Sequence, residues 1–368
     1  MKSEARFKFH WATPDDEPEI RDLVGTVPMP GGVSLIFARE PDYFLGATIM
    51  GDPCDVLLVR QRSDGQLAGI ACRAERRVYI NRQETAIGYI GQIRVSESFR
   101  GNWLIHLGAK WIKDLSPLDL LYTGVIASEN PRARELLVGA RMPGGLQVAG
   151  KWGLTTCAIL LRPRPVHRIT GVEIQPGSLE TLGEITAYLN LEGSRRQFFP
   201  AYSYKDFLEG SKLRGLKPED IMVARQGTTI VGIMAVWDQA AYKQDIIDAY
   251  GQELRLLRPF YNLAARLIRA QPLTPPGQAI PLAFASCICV TEDDQSVMRA
   301  LLSACLHNAY TRGKAFLMVG LANSDPLLPV VRRHLHITYR SELFAVTWSG
   351  KPVSLATDQI PYIEIATL

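Results

Sequence analysis

Gly91–Leu107, GQIRVSESFRGNWLIHL, carries an alternating strand into an Arg-Gly turn and then into an amphipathic helix. Alternation puts Ile87, Tyr89, Gly91, Ile93 and Val95 on one face of a strand running from Glu84 to Val95, and Gly88, Ile90, Gln92 and Arg94 on the other. The helix is expected to open at Asn102, a favoured N-cap, with Leu104, Leu107, Trp111, Ile112 and Leu115 on one stripe and His106, Lys110 and Lys113 opposite. Free main-chain N–H groups and the positive end of the helix dipole at such a junction can hold a pyrophosphate. Arg100 can add a charge-assisted contact there, and no metal is needed. An ordinary strand-turn-helix with a solvated Arg100 fits the same residues equally well.

Elements on either side follow a regular order. Arg6 to Trp11 reads as a strand, Pro14 to Val24 as a helix, and Val56 to Arg62 with Gln66 to Arg73 as a hairpin turned by Ser63-Asp64-Gly65. Downstream of the opening stretch, Leu120 to Ala127 reads as a strand, Pro131 to Val138 as a helix opening at Asn130-Pro131, and Leu154 to Leu161 as a strand.

With its Arg-Gly turn between strand and helix, this order resembles the GCN5-related N-acetyltransferases (GNAT), whose signature is Arg/Gln-x-x-Gly-x-Gly/Ala. The resemblance covers Arg6 to Leu161 and implies a mixed, mostly antiparallel sheet flanked by helices, in the α/β class. It also implies an acyl-CoA, acetyl-CoA or another, as substrate. By that likeness the backbone of Ile93, Arg94 and Val95 would pair with the pantetheine arm, and Arg100, Gly101, Asn102, Trp103 and Leu104 would meet the pyrophosphate. Asn130 would open its helix beside the carrier. The chain departs from the pattern at Trp103 and Ile105, which stand where the family has glycines, and at Leu137, where many members have a general-acid tyrosine.

The same order of elements recurs beyond Arg162-Pro163-Arg164-Pro165. A helix near Leu179 to Leu191, strands at Ile221 to Arg225, Thr229 to Trp237 and Leu282 to Val290, a helix from Asp294 to Arg312, a strand at Ala315 to Val319, a helix near Asp325 to His334 and a strand at Thr338 to Trp348 form the second series. Two tandem GNAT-like domains are therefore expected, 1–163 holding the acyl-CoA and 164–368 degenerate, with a helical insert at about 239–280. Glu292, Asp293 and Asp294 at the second strand-helix junction would repel a pyrophosphate and cap their own helix. Within the insert, Asp248 to Ala270 has helical spacing broken at Pro259. It offers Arg255, Arg258, Arg266 and Arg269 either as an anionic-partner surface or as a solvated face of snorkelling side chains.

Composition bounds the function. The chain has 368 residues, 47% hydrophobic and 21% charged, long enough for about two globular domains. A net charge of +4 is too mild to favour nucleic acid or a membrane as a partner. Six scattered cysteines lack zinc or disulfide spacing and read as reduced core residues. No apolar run approaches the ~20 residues of a membrane helix, and MKSEARFKFH lacks the apolar core of a signal peptide, so a cytoplasmic location is expected. Nucleophile-elbow, HExxH, Walker and G-x-G-x-x-G patterns are absent.

The expected activity is transfer of an acyl group from acyl-CoA to an amine of a small molecule or protein. Arg39, Glu40 and Tyr43 lie in Phe37–Phe44, where the family builds its acceptor loop; a short helix packing Phe37, Tyr43 and Phe44 inward is the alternative. Amine acylation needs a base and main-chain donors for the thioester carbonyl, and Glu84 and Tyr89 are the catalytic candidates, with a structural role for each as the alternative. Trp103, Ile105 and Leu137 also suit a non-catalytic double-GNAT protein that binds a ligand or partner. A tandem transferase using an aminoacyl-tRNA donor is a third reading, opposed by the modest charge.

Overall fold

Alternating apolar residues build the frame. In the first half they form β1 (Phe7–Trp11), β2 (Val33–Ala38), β3 (Cys54–Gln61), β4 (Leu67–Ile80), β5 (Gln83–Val95), β6 (Tyr122–Ala127) and β7 (Gln147–Leu160). Between them stand α1 (Glu17–Thr26), α2 (Tyr43–Ala47), α3 (Leu104–Leu115) and α4 (Pro131–Val138). The second half supplies β8 (Glu173–Pro176), β9 (Ile221–Gln226), β10 (Thr229–Trp237), β11 (Gln244–Tyr250), β12 (Leu282–Val290), β13 (Phe316–Ala322) and β14 (His336–Thr347). Its helices are α5 (Leu182–Gly193), α6 (Tyr204–Leu208), α7 (Gln252–Leu267), α8 (Gln295–Thr311) and α9 (Leu328–Arg332). This computed structural model describes residues 6–28, 32–100, 104–116, 120–138, 145–208, 212–348 and 353–368.

Twelve strands make one continuous sheet in the order β1-β3-β4-β5-β6-β14-β7-β13-β12-β10-β9-β8. Neighbours are antiparallel except β5 with β6 and β12 with β13. The expected mixed, mostly antiparallel sheet flanked by helices is present, but the two halves do not keep separate sheets. Their last strands change places. Ser341–Val346 of β14 pair with β6, β14 also runs along β7, and β7 in turn pairs through Leu154–Leu160 with β13. Trp348, just past β14, packs edge-on against Tyr122 of β6 at 4.7 Å.

The helices of the first half take opposite faces. Ile20, Leu23 and Val24 of α1, with Tyr43 of α2, pack over Val56, Leu58, Ile70, Cys72 and Tyr89. Leu104 and Ile112 of α3 pack on the other face over Leu57, Val59, Tyr122 and Phe344. In the second half, the apolar stripe of α8 buries Val297, Leu301, Leu302 and Leu306 in the largest core, together with Leu182, Ile185 and Leu189 of α5.

The insert differs from its helical reading. Gln244–Tyr250 is a strand, antiparallel to β2 from Gln244↔Ala38 to Tyr250↔Val33. This two-stranded ribbon ties the halves together outside the main sheet. The neighbouring Ile246 and Ile247 favour an extended chain, and helical spacing begins only at Gln252. From there α7 is a single helix with Pro259 inside it, so the missing N–H costs one rung without ending the helix.

Candidate active site

β5 separates from β6 part-way along its length. The two strands pair only at Gly88↔Tyr122 and Tyr89↔Thr123, while on its other edge β5 stays paired with β4 as far as Gly69↔Val95. The cause is local: Gln92 has φ 51°, and Cys72↔Gly91 is followed by Ile70↔Arg94, so β5 carries one extra residue. A β-bulge of this kind bends its strand and increases the local twist. Residues 90–95 consequently run along a gap with main-chain groups that β6 does not take up.

The bulge also corrects the simple alternation. One added residue reverses the facing of all that follow, so Arg94 shares a face with Ile70, Cys72 and Tyr89 instead of with Ile90. Its guanidinium carbon stands 5.9 Å from the centre of the Phe37 ring, and burial holds its pKa below the usual arginine value.

On the α3 side the gap opens into a cavity of about 200 Å³. Five of the residues expected to hold the carrier line it: Ile93, Arg94 and Val95 from β5, Leu104 from α3, and Asn130. The Asn130 side-chain oxygen accepts a hydrogen bond from the Ala133 N–H at 3.0 Å and so caps α4 at the mouth of the cavity. Arg100, beyond the end of β5, is exposed and pairs with Glu97 at 3.3 Å, a contact that solvent screening makes weak. Gly101, Asn102 and Trp103 lie outside the described residues, as does the side chain of Leu137.

The α1–α2 side is chemically different. Tyr89 packs its ring over Gly91, where a Cβ would stand 2.5 Å from the ring. The Arg76 guanidinium lies 3.9 Å above the Tyr89 ring, and burial pushes the phenol pKa up, so Tyr89 is a neutral phenol at neutral pH. The Tyr43 hydroxyl meets the Cys72 sulfur at 2.9 Å. Arg39 is only 4% exposed and donates to the Ala38 carbonyl at 2.9 Å; among the described residues no carboxylate lies within 4.0 Å of it. Glu40 turns outward to Arg21 at 2.6 Å. Glu84 is not brought to the gap: it pairs with Arg77 at the opposite end of β5, eight residues or roughly 26 Å from the bulge.

The ribbon brings to this side residues that sequence reading missed. Lys243 donates to the main-chain oxygens of Ala366 at 3.0 Å and Leu368 at 2.9 Å. Burial, reinforced by the charge of Arg39, lowers its pKa to about 7. Burial raises the Asp245 pKa, and its Oδ1 has no hydrogen-bond partner among the described residues. The sequence signal was faint, a two-residue Ile246-Ile247 run inside a segment read as helix.

The second half repeats the device. Cys287 has φ 53°, Ile233↔Cys289 is followed by Ala235↔Ser286, and β12 pairs with β13 only from Leu282↔Phe316 to Phe284↔Met318. This gap is filled by the chain itself. The Glu364 carboxylate accepts from the Cys287 N–H at 2.9 Å, the Tyr362 hydroxyl accepts from the Ile288 N–H at 3.2 Å, and Ile365 lies against Gly320. At the following junction Asp294 caps α8 through Ser296 and Val297, while Arg196 joins Asp293 to Asp325.

No protein-family model matches the sequence, and no curated protein does. Among solved structures, a GCN5-related N-acetyltransferase from Sphaerobacter thermophilus superposes with a TM-score of 0.57 over 96% of this chain and 98% of that one, at 15% identity. The chain has the GNAT fold. Two further structures share it at TM-score 0.59. One is the N-myristoyltransferase of Saccharomyces cerevisiae with bound myristoyl-CoA, 11% identical over 98% of this chain and 88% of that one. The other is the GCN5-related glucosamine N-acetyltransferase region of a fungal multi-domain GH3 β-N-acetylglucosaminidase, 12% identical over 92% of this chain and 38% of that one. The likeness to the first two of these solved chains thus runs through both halves of the sheet, over 98% and 88% of their lengths.

Proposed function

We propose that the protein is an acyl-CoA-dependent N-acyltransferase whose single working site is the gap between β5 and β6. One observation carries the reading: the bulge at Gln92 opens a parallel pair of strands above a cavity that Ile93, Arg94, Val95, Leu104 and Asn130 line together. A pantetheine arm is an extended amide chain, and the edge of β5 offers it the partners that a strand would have. The similar solved structures named above, one of them holding myristoyl-CoA, support an acyl-CoA as the donor.

In this reading the carrier enters from the α3 side and the acceptor amine from the α1–α2 side, under the ribbon. The amine nitrogen attacks the thioester carbonyl, whose oxygen takes hydrogen bonds from β5 main-chain donors beside the bulge. The ammonium proton leaves to Lys243, whose proton affinity burial brings to about pH 7, with Asp245, its affinity raised by burial, beside it. The departing thiolate takes a proton from Tyr89, held protonated by burial. Arg39 and Tyr43 would face the acceptor. Glu84 has no part in these steps.

Replacing Ala109, which lines the cavity from α3, by Trp fills it without touching the α1–α2 side. Calorimetry with acetyl-CoA and with a long-chain acyl-CoA should show binding by the natural protein and at least a tenfold loss in Ala109→Trp, with the folded state intact. Absence of heat from either ligand with the natural protein would sink the reading and favour a non-catalytic binding protein.

A further inference from the structure

Helix α7 exposes an apolar face that none of the described residues covers. Leu256 is 71% exposed, Phe260 72%, Leu263 62% and Leu267 82%. At roughly 100° per residue these four positions fall on one side of the helix. The opposite side is held to the protein through buried Ala265, packed with Tyr261, Leu160 and Phe316. The helix is therefore anchored along one edge and presents its greasier edge to the surroundings.

The charges of the segment are one-sided. From Gln252 to Ala270 there are four arginines, Arg255, Arg258, Arg266 and Arg269, against the single acid Glu253. Among the described residues none of the four has a carboxylate within 4.0 Å. Arg258 is used locally, donating to the Leu273 carbonyl at 3.3 Å and lying 5.6 Å from the Tyr250 ring. Arg255, Arg266 and Arg269 are exposed. An exposed apolar stripe flanked by cations that no described carboxylate neutralises suits a surface that is apolar below and anionic above. A second copy of this chain fits less well, because a symmetric contact would bring the arginines of both copies together.

We propose that α7 docks the protein onto anionic lipid bilayers, lying in the interface with Leu256, Phe260, Leu263 and Leu267 in the headgroup–acyl boundary and Arg255, Arg266 and Arg269 at lipid phosphates. Among the described residues no helix is long and apolar enough to cross a membrane, so the contact is peripheral. The mild overall charge, which argued against a membrane partner, averages away a local excess that becomes visible only when exposure is known. Because α7 follows β11 directly, docking sets the ribbon and the acceptor side beside the lipid. The proposal does not depend on the acyltransferase reading.

Sedimentation of the full chain with vesicles tests it. Vesicles of phosphatidylcholine mixed with phosphatidylglycerol should carry the protein down, phosphatidylcholine alone should carry less, and high salt should release it. Each of Arg255→Gln, Arg266→Gln and Arg269→Gln should lower partitioning about fivefold, the equivalent of roughly 1 kcal/mol. The double variant Phe260→Asp with Leu263→Asp should abolish it while leaving thermal melting unchanged, since both side chains are exposed. The proposal is overturned if the natural protein stays in the supernatant with every vesicle, or if the double variant sediments as well as the natural protein. It is also overturned if ultracentrifugation shows a dimer that the double variant dissolves and no vesicle binding occurs.

Discussion

Arg39 shows how much a single side chain depends on its surroundings. A guanidinium buried without a carboxylate is costly, and an apolar replacement of similar volume commonly stabilises such a site. Arg39→Leu should raise the unfolding free energy by about 1 kcal/mol in urea titration; destabilisation would mean that its hydrogen bond to Ala38 outweighs the buried charge. Lys243 offers a titration test. Its folded pKa of about 7 lies below its ordinary value of 10.5. Below pH 7 both folded and unfolded states carry the proton and the cost of burying it is fully present. Between about 7 and 10.5 the unfolded chain binds the proton and the folded protein does not, so stability rises with pH across that window. Urea unfolding across it should show this rise in the natural protein and a flatter profile in Lys243→Met, and competitive amine labelling should titrate Lys243 near 7. A labelling midpoint near 10.5 would sink both expectations.

Between residue and fold, the bulge at Gln92 is the decisive element. Deleting Gln92 leaves Arg94 opposite Ile70 but removes the extra residue, so β5 should straighten toward β6 and acyl-CoA binding should fall at least tenfold while the melting temperature holds. Unchanged binding would show that the gap does not need the bulge. Most strands and helices were legible because their apolar residues repeat at period two or 3.6 over long runs, as in Thr229–Trp237 and Asp294–Arg312. The bulge was not legible, since Gln92 continues a clean alternation and only pairing with β4 reveals the slip. β2 and β11 were missed for a related reason: each is short, stands outside the main sheet, and is stabilised by a partner about two hundred residues away. That Ile93, Arg94, Val95, Leu104 and Asn130 come together was legible, because the cavity they line is built from contiguous segments. On the α1–α2 side only Arg39 and Tyr43 were singled out in advance, because Lys243 and Asp245 reach that side through tertiary pairing.

At the scale of the molecule, exchange of β7 and β14 makes each half incomplete alone. Fragment 1–163 would leave β6 and β7 without the strand that joins them, and fragment 164–368 would leave β13 and β14 without β7. Expressed separately, the two fragments should be aggregated or poorly structured, and mixed during refolding they should give one particle that melts in a single transition. Two soluble, monomeric, cooperatively melting fragments would show that the exchange is dispensable.

The placing of β14 has a temporal side as well. A ribosome completes β6 at Ala127 and does not begin the strand that covers it until His336, roughly 200 residues later, or some 10 to 40 seconds at about 5–20 residues per second. From the completion of β7 at Leu160 onward, the nascent chain holds the two open strand edges, of β6 and β7, that β14 will join. Its biosynthesis should therefore lean on holding chaperones far more than the tightness of the finished sheet suggests.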